Sequence, residues 1–142
     1  MMEASEIKDI AKKCVIFETV DDEEFDLVLF YGEQRDFPSG ATIYRTGEAA
    51  DGTFCLILSG AVEIVAQTGR RIRTMGPREI IGEIGATSPK NKRTLTARTI
   101  EPTLVIEWEI KHIGTRWPAL MKKLKDQAWK HLAQYYESPK GH

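Results

Sequence analysis

Between Gln34 and Trp108 the chain is cut into short apolar runs by glycine-containing turns, and this rhythm limits the architecture more than any other feature. Residues 34–37, 41–45, 54–59, 61–66, 70–75, 79–81, 94–99 and 103–108 read as strands. Val, Ile, Leu, Thr and Phe recur in them with a period of two. Pro38-Ser39-Gly40, Gly47, Gly52, Gly60, Gly69 and Gly76-Pro77 bound them. About eight short strands separated by turns predict a β-roll or jelly roll rather than a parallel sheet. Gly60 joins two apolar runs with almost no loop, as a tight hairpin does. Gly69 precedes Arg70 and Arg71, so that hairpin tip is expected to face solvent.

The pattern changes to helix on both sides. Residues 3–16 place Ile7, Ile10, Ala11 and Cys14 at helical spacing among charged residues. Asp21 or Asp22 is positioned to cap a second helix whose first turn holds Glu23 and Glu24. Phe25, Val28 and Leu29 form its apolar face, and Gly32 reads as its stop signal. After the strands, Glu109–Ile113 gives a short turn of helix before Gly114. Pro118 then opens a longer helix. Its expected apolar stripe is Leu120, Met121, Leu124, Ala128, Trp129, Leu132 and Tyr136, and Ser138–His142 reads as a frayed end. The expected organisation is one mainly β domain over 1–142. Helices occupy 1–33, the roll 34–108, and further helices 109–142.

One stretch carries chemistry. Gly82-Glu83-Ile84-Gly85-Ala86 combines small residues with a carboxylate, and Arg93-Thr94 follows ten residues after the Glu. Small residues allow close backbone approach. A helical turn there would aim free N–H groups at an anion. Arg93 offers a planar fork to phosphate oxygens and Thr94 a hydroxyl. Glu83 would repel phosphate, but it suits a sugar hydroxyl. Together these groups read as a site for a ribose phosphate. The alternative is structural, with Arg93 paired to Glu83 or to another acid.

The same spacing resembles the phosphate-binding cassette of cyclic nucleotide-binding domains, here residues 82–94. That family includes catabolite activator proteins, regulatory subunits of cyclic AMP-dependent kinase and cyclic nucleotide-gated channels. The resemblance extends upstream through Gly40-Ala-Thr-Ile43, Gly47-Glu48, Asp51, Phe54–Ile57, Gly60-Ala-Val62 and Ile64, and downstream to Leu104-Val105-Ile106. It implies that Arg93 holds a cyclic phosphate and Glu83 the ribose 2′-hydroxyl. Gly82, Ile84, Gly85 and Ala86 would supply backbone N–H groups. The implied ligand is cyclic AMP or cyclic GMP, with Thr94 a faint pointer to the latter. In the family the long C-terminal helix closes over the base, so Tyr135 or Tyr136 could stack on a purine. There are departures. Arg78-Glu79 stands where the family often has Gly-Asp, which implies a different backbone there. Leu95 stands where Ala is common and would crowd the pocket floor. The 89–92 loop is polar and basic.

Other classes are disfavoured. The net charge of −1 gives no general attraction to nucleic acid or an anionic membrane. No apolar run approaches a membrane span, and the first residues do not read as a signal peptide. Cys14 and Cys55 are isolated in apolar surroundings and read as reduced, buried thiols of a cytoplasmic protein. His112, His131 and His142 all lie outside the strands. A β-barrel metal enzyme would cluster them there, so no metal site and no enzyme are expected. With the chain ending at His142, no DNA-reading module is expected after the long helix. The expected function is a nucleotide-binding regulatory domain that passes its signal through that helix, to a second copy or to an unknown effector protein. The alternative is a scaffold domain that keeps the fold without the ligand.

Overall fold

The strands form two antiparallel four-stranded sheets, and helices cover one of them. The computed structural model describes residues 1–137, so the expected frayed end at 138–142 lies outside the described residues. Helices α1 (Ala4–Ala11) and α2 (Asp22–Phe30) come first, with a 3₁₀ turn between them. The strands follow: β1 (Glu33–Phe37), β2 (Thr42–Tyr44), β3 (Thr53–Ser59), β4 (Val62–Val65), β5 (Arg71–Met75) and β6 (Ile80–Ile81). A short helix α3 (Glu83–Thr87) interrupts them before β7 (Thr96–Thr99) and β8 (Thr103–Glu109). Helices α4 (Ile110–Ile113) and α5 (Pro118–Glu137) close the chain. The sheet orders are β1-β8-β3-β6 and β2-β7-β4-β5.

β3 shows how its sequence sets the layers. Its run Phe54–Leu58 is buried without interruption, as a strand covered on both faces requires. Phe54, Leu56 and Leu58 face the helices, where they join Ile16, Phe17, Phe25, Val28 and Trp108. Cys55 and Ile57 face the inside of the roll, with Val62, Ile64, Met75, Ile81 and Val105. Two cores therefore share one sheet. The helix-side core anchors the N-terminal helices and the first half of α5. The roll interior carries the pocket.

Several local expectations change. The first helix ends at Ala11 rather than near 16, and the chain turns through the 3₁₀ segment Val15–Phe17 to bury Ile16 and Phe17. Asp21, not Asp22, caps α2. Its carboxylate accepts from the Glu24 amide at 2.8 Å while Glu24 reaches back to the Asp21 amide. Gly32 is needed for close approach rather than for a left-handed stop. A Cβ there would lie 2.6 Å from Ile106 Cδ1 and 2.8 Å from Trp108 Nε1.

Arg78 does not move the turn away from a glycine-like backbone. It adopts φ of 76°, the left-handed region that L side chains disfavour. Its amide still donates to the Ile57 carbonyl at 3.0 Å, a bond glycine would keep. Arg78→Gly is therefore expected to raise stability by roughly 0.5–1 kcal/mol, since relief of strain outweighs the extra unfolded-state entropy of glycine. Chemical denaturation measures this directly, and a lower midpoint would mean that the arginine side chain holds something the backbone does not.

Candidate functional site

β6 runs into Gly82, whose φ of 85° turns the chain sharply into α3. A side chain at Gly82 would meet the Tyr44 ring at 2.6 Å. Gly85, one turn on, sits against Arg93, and a Cβ there would lie 2.9 Å from Arg93 Cδ. Each of these glycines therefore makes room for a particular side chain. The first turn of α3 leaves its leading amides without intrahelical acceptors. The Ala86 amide is the exception, since it bonds to the Gly82 carbonyl at 3.0 Å.

Arg93 lies in the loop before β7, which starts at Thr96 rather than at residue 94. Its side chain is 4% exposed. Nη1 donates to the Gly82 carbonyl at 2.8 Å. Nη2 is shared among Ala50 O at 2.7 Å, Thr53 O at 2.9 Å and Thr53 Oγ1 at 2.8 Å. The Tyr44 ring centroid lies 3.8 Å from the guanidinium carbon, a cation–π contact. Among the described residues no carboxylate lies within ion-pair distance of Arg93. The structural pairing of Arg93 with Glu83 is thus absent. A buried guanidinium that keeps its charge without an acid is costly unless an anion visits it.

Glu83 is equally buried, at 3% exposed. Its Oε2 lies 2.7 Å from His131 Nδ1 on α5. His131, one of the three histidines outside the strands, is itself buried. Gln127 Nε2 lies 3.0 Å from the other ring nitrogen, His131 Nε2. An amide nitrogen donates only, so in this arrangement His131 Nε2 accepts and Nδ1–H donates to the carboxylate. Tyr135 stacks on the imidazole, with ring centroids 5.3 Å apart and an angle of 19° between planes. Burial, and next the Glu83 charge, push the Tyr135 hydroxyl well above its ordinary range.

Gly82, Glu83, Ile84, Gly85, Arg93, Thr94 and Tyr135 line one pocket in the roll, with Leu95 among its walls. Thr94 is exposed at the mouth. Ala86 turns away and packs against the helix-side core. Tyr136 lies in the last turn of α5, and its side chain is outside the described residues. The cavity open to water is only about 30 Å³.

The buried face of α5 is Leu120, Leu124, Ala128, His131 and Tyr135, not the stripe expected from hydropathy. At roughly 100° per residue these five fall within an arc of about 80°, and Trp129 lies about 140° from its centre. Trp129 is accordingly 74% exposed and not part of the core. It lies beside a separate apolar cleft between α5 and the 87–90 segment.

Both thiols are buried and free. Burial raises the Cys14 thiol to about 11, and Cys55, bonded to the Tyr44 hydroxyl at 3.0 Å, is raised further by the same cause. Neither is a nucleophile at neutral pH. No group of three His, Cys, Asp or Glu side chains suited to a metal ion occurs among the described residues. No helix among them is long and apolar enough to cross a membrane.

The sequence profile of the cyclic nucleotide-binding domain matches residues 34–114, which takes in β1 to α4 and the whole pocket loop. The chain belongs to the cyclic nucleotide-binding domain family. No curated protein matches it. Among solved structures it is similar to a Geobacter metallireducens protein described as a cyclic nucleotide-binding protein. That pair is 21% identical with a TM-score of 0.72, over 94% of this chain and 98% of the other. The Thermus thermophilus catabolite activator protein is 25% identical with a TM-score of 0.73, over 84% of this chain and 58% of that one. The regulatory subunit of a cAMP-independent protein kinase A from Trypanosoma brucei is 17% identical with a TM-score of 0.79, over 95% of this chain and 53% of that one. The chain thus spans little more than half the length of the last two. Members of this family are ligand-binding regulatory domains, and the β-roll seen here is their fold.

Proposed function

We propose that this domain binds a cyclic nucleotide, cyclic AMP or cyclic GMP, and reports its occupancy through α5. The observation that carries the reading is Arg93. It is a buried guanidinium with no carboxylate partner among the described residues, on the same pocket as a buried carboxylate and the first turn of α3. In the bound state the cyclic phosphate would meet Arg93 and the amides of Glu83, Ile84 and Gly85. Arg93 would exchange some of its carbonyl bonds for anionic oxygens, which form stronger, charge-assisted bonds. Glu83 would accept from the ribose 2′-hydroxyl. The base would lie against the end of α5, near Tyr135. Thr94 at the mouth fits either nucleotide. The domain is taken to work in the cytoplasm without metal or catalysis. Its output would pass to an effector protein, or to a second copy through the outward face of α5, where Trp129 stands exposed.

The decisive experiment is a calorimetric titration of protein that has been unfolded, stripped of any nucleotide and refolded. Saturable binding of cyclic AMP or cyclic GMP at micromolar or lower concentration is the expected result. Refolded protein that takes up neither would leave the second reading, a scaffold domain. The small cavity is the specific observation in favour of that alternative.

A further inference from the structure

We propose that His131 sets the ligand affinity of this pocket, as a built-in competitor that holds Glu83 and keeps α5 closed over the site. The inference rests on the nucleotide reading above, and its test separates the two.

The carboxylate that would receive a ribose hydroxyl already has a donor. Glu83 Oε2 and His131 Nδ1 are 2.7 Å apart, and both side chains are almost fully buried. Gln127, one turn earlier on α5, orients the imidazole through its other nitrogen. Tyr135, one turn later, stacks on the ring and lines the pocket. Three successive turns of one helix therefore converge on a single acceptor of the cassette. The room left is about 30 Å³, enough for about two waters. Pockets that take drug-sized ligands start at about 300 Å³. With α5 in this position the pocket is too small for a nucleotide, so the helix has to shift before the ligand enters and can then rest against the base.

The pair is not what packing alone would select. Burying an imidazole and a carboxylate incurs desolvation that two apolar side chains would avoid. The first half of α5 is held by such apolar packing, through Leu120 and Leu124, and by Lys123 Nζ on Glu18 at 2.9 Å. The second half meets the cassette through the polar pair, and beside it Arg73 Nη1 donates to Gln134 Oε1 at 3.1 Å and Tyr135 packs in the roll-side core. The helix is thus anchored at one end and latched at the other. Whatever free energy closes the latch must be spent before ligand enters, and apparent affinity falls by the fraction of molecules that are open.

The test compares the parent with His131→Ala and with His131→Gln, whose amide can donate to Glu83 in place of the imidazole. Amide hydrogen exchange of residues 124–135, followed without ligand, should speed up by about tenfold or more in the Ala protein and return toward the parent in the Gln protein. Nucleotide affinity should rise by about tenfold in the Ala protein, within the usual range for coupled sites. The 2′-deoxy nucleotide should gain by the same factor, because the cost of opening is common to both ligands. A role in fold stability alone speeds exchange without raising affinity, so an affinity that stays level or falls overturns the proposal. Binding by the parent without a gain in the Ala protein sinks the latch and leaves the nucleotide reading standing. Absence of binding in all three proteins sinks both.

Discussion

An Arg93→Ala protein should bind cyclic nucleotide about a hundredfold more weakly and unfold some 3 kcal/mol more easily than its parent. Both effects follow from one guanidinium. A bidentate, charge-assisted contact to phosphate contributes about 1.5–3 kcal/mol, so its loss alone approaches a hundredfold in affinity. The same side chain ties together backbone carbonyls of two segments distant in sequence, Gly82 on one side and Ala50 and Thr53 on the other. The Gly82 carbonyl keeps the Ala86 amide and the Ala50 carbonyl the Thr53 amide, so the Thr53 carbonyl is the acceptor that loses its donor, and with the lost bonds to a charged group this costs about 3 kcal/mol. Relief from burying an uncompensated charge offsets part of this. Because Ala confounds folding with binding, Arg93→Lys is the companion variant. It keeps the charge but not the planar fork. It should retain most of the stability lost in the Ala protein and still bind at least about tenfold more weakly. Denaturation midpoints and calorimetry read the two effects separately. Parent-like affinity in the Lys protein would mean that the guanidinium serves the fold and not the ligand.

Much of this site was legible in the sequence, and the reason is local geometry. Gly82-Glu83 and Arg93 announce themselves because they lie within one loop, and loop residue types report directly on backbone approach and charge. The strands are also legible, since glycine turns bound each one. The uninterrupted apolar run of β3 became a strand shared by two cores. What the sequence hid depends on the rotation of a helix. His131 stands among Lys130, Leu132 and Ala133, and nothing nearby marks it as buried. Its partner is Glu83, 48 residues earlier. Trp129 shows the same limit from the other side. Hydropathy assigned it to the core, yet the arc fixed by Leu120, Leu124 and Ala128 leaves it outside. Arg78 shows a third limit, because a side chain that glycine usually replaces does not by itself move the turn. Similarity of fold does not decide the ligand either. The same architecture serves a catabolite activator protein and a regulatory subunit of a cAMP-independent kinase.

Trp108→Ala is expected to be the most damaging single change in the helix-side core. The indole is buried between Phe17, at 5.3 Å between ring centroids, and Phe54, at 5.6 Å. Its Nε1–H donates to the Val28 carbonyl at 2.8 Å, which ties α2 to β8 across 80 residues of chain. Truncation to Ala should cost about 3–5 kcal/mol for lost burial and cavity, plus about 1 kcal/mol for the lost indole hydrogen bond, although the Val28 carbonyl keeps the Tyr31 amide at 3.2 Å. Domains of this kind have about 5–15 kcal/mol in total, so the change removes about a quarter of the stability or more. At roughly 3 °C per kcal/mol the melting temperature should fall by more than about 10 °C. Trp108→Phe divides the cost, because it keeps much of the buried volume while losing the N–H donor. It should destabilise by less than half as much as Ala. Equal losses in the two proteins would assign the anchoring of α2 to the hydrogen bond rather than to packing. The N-terminal helices would then be held by one polar contact, although Phe17, Phe25 and Val28 are all buried against the sheet.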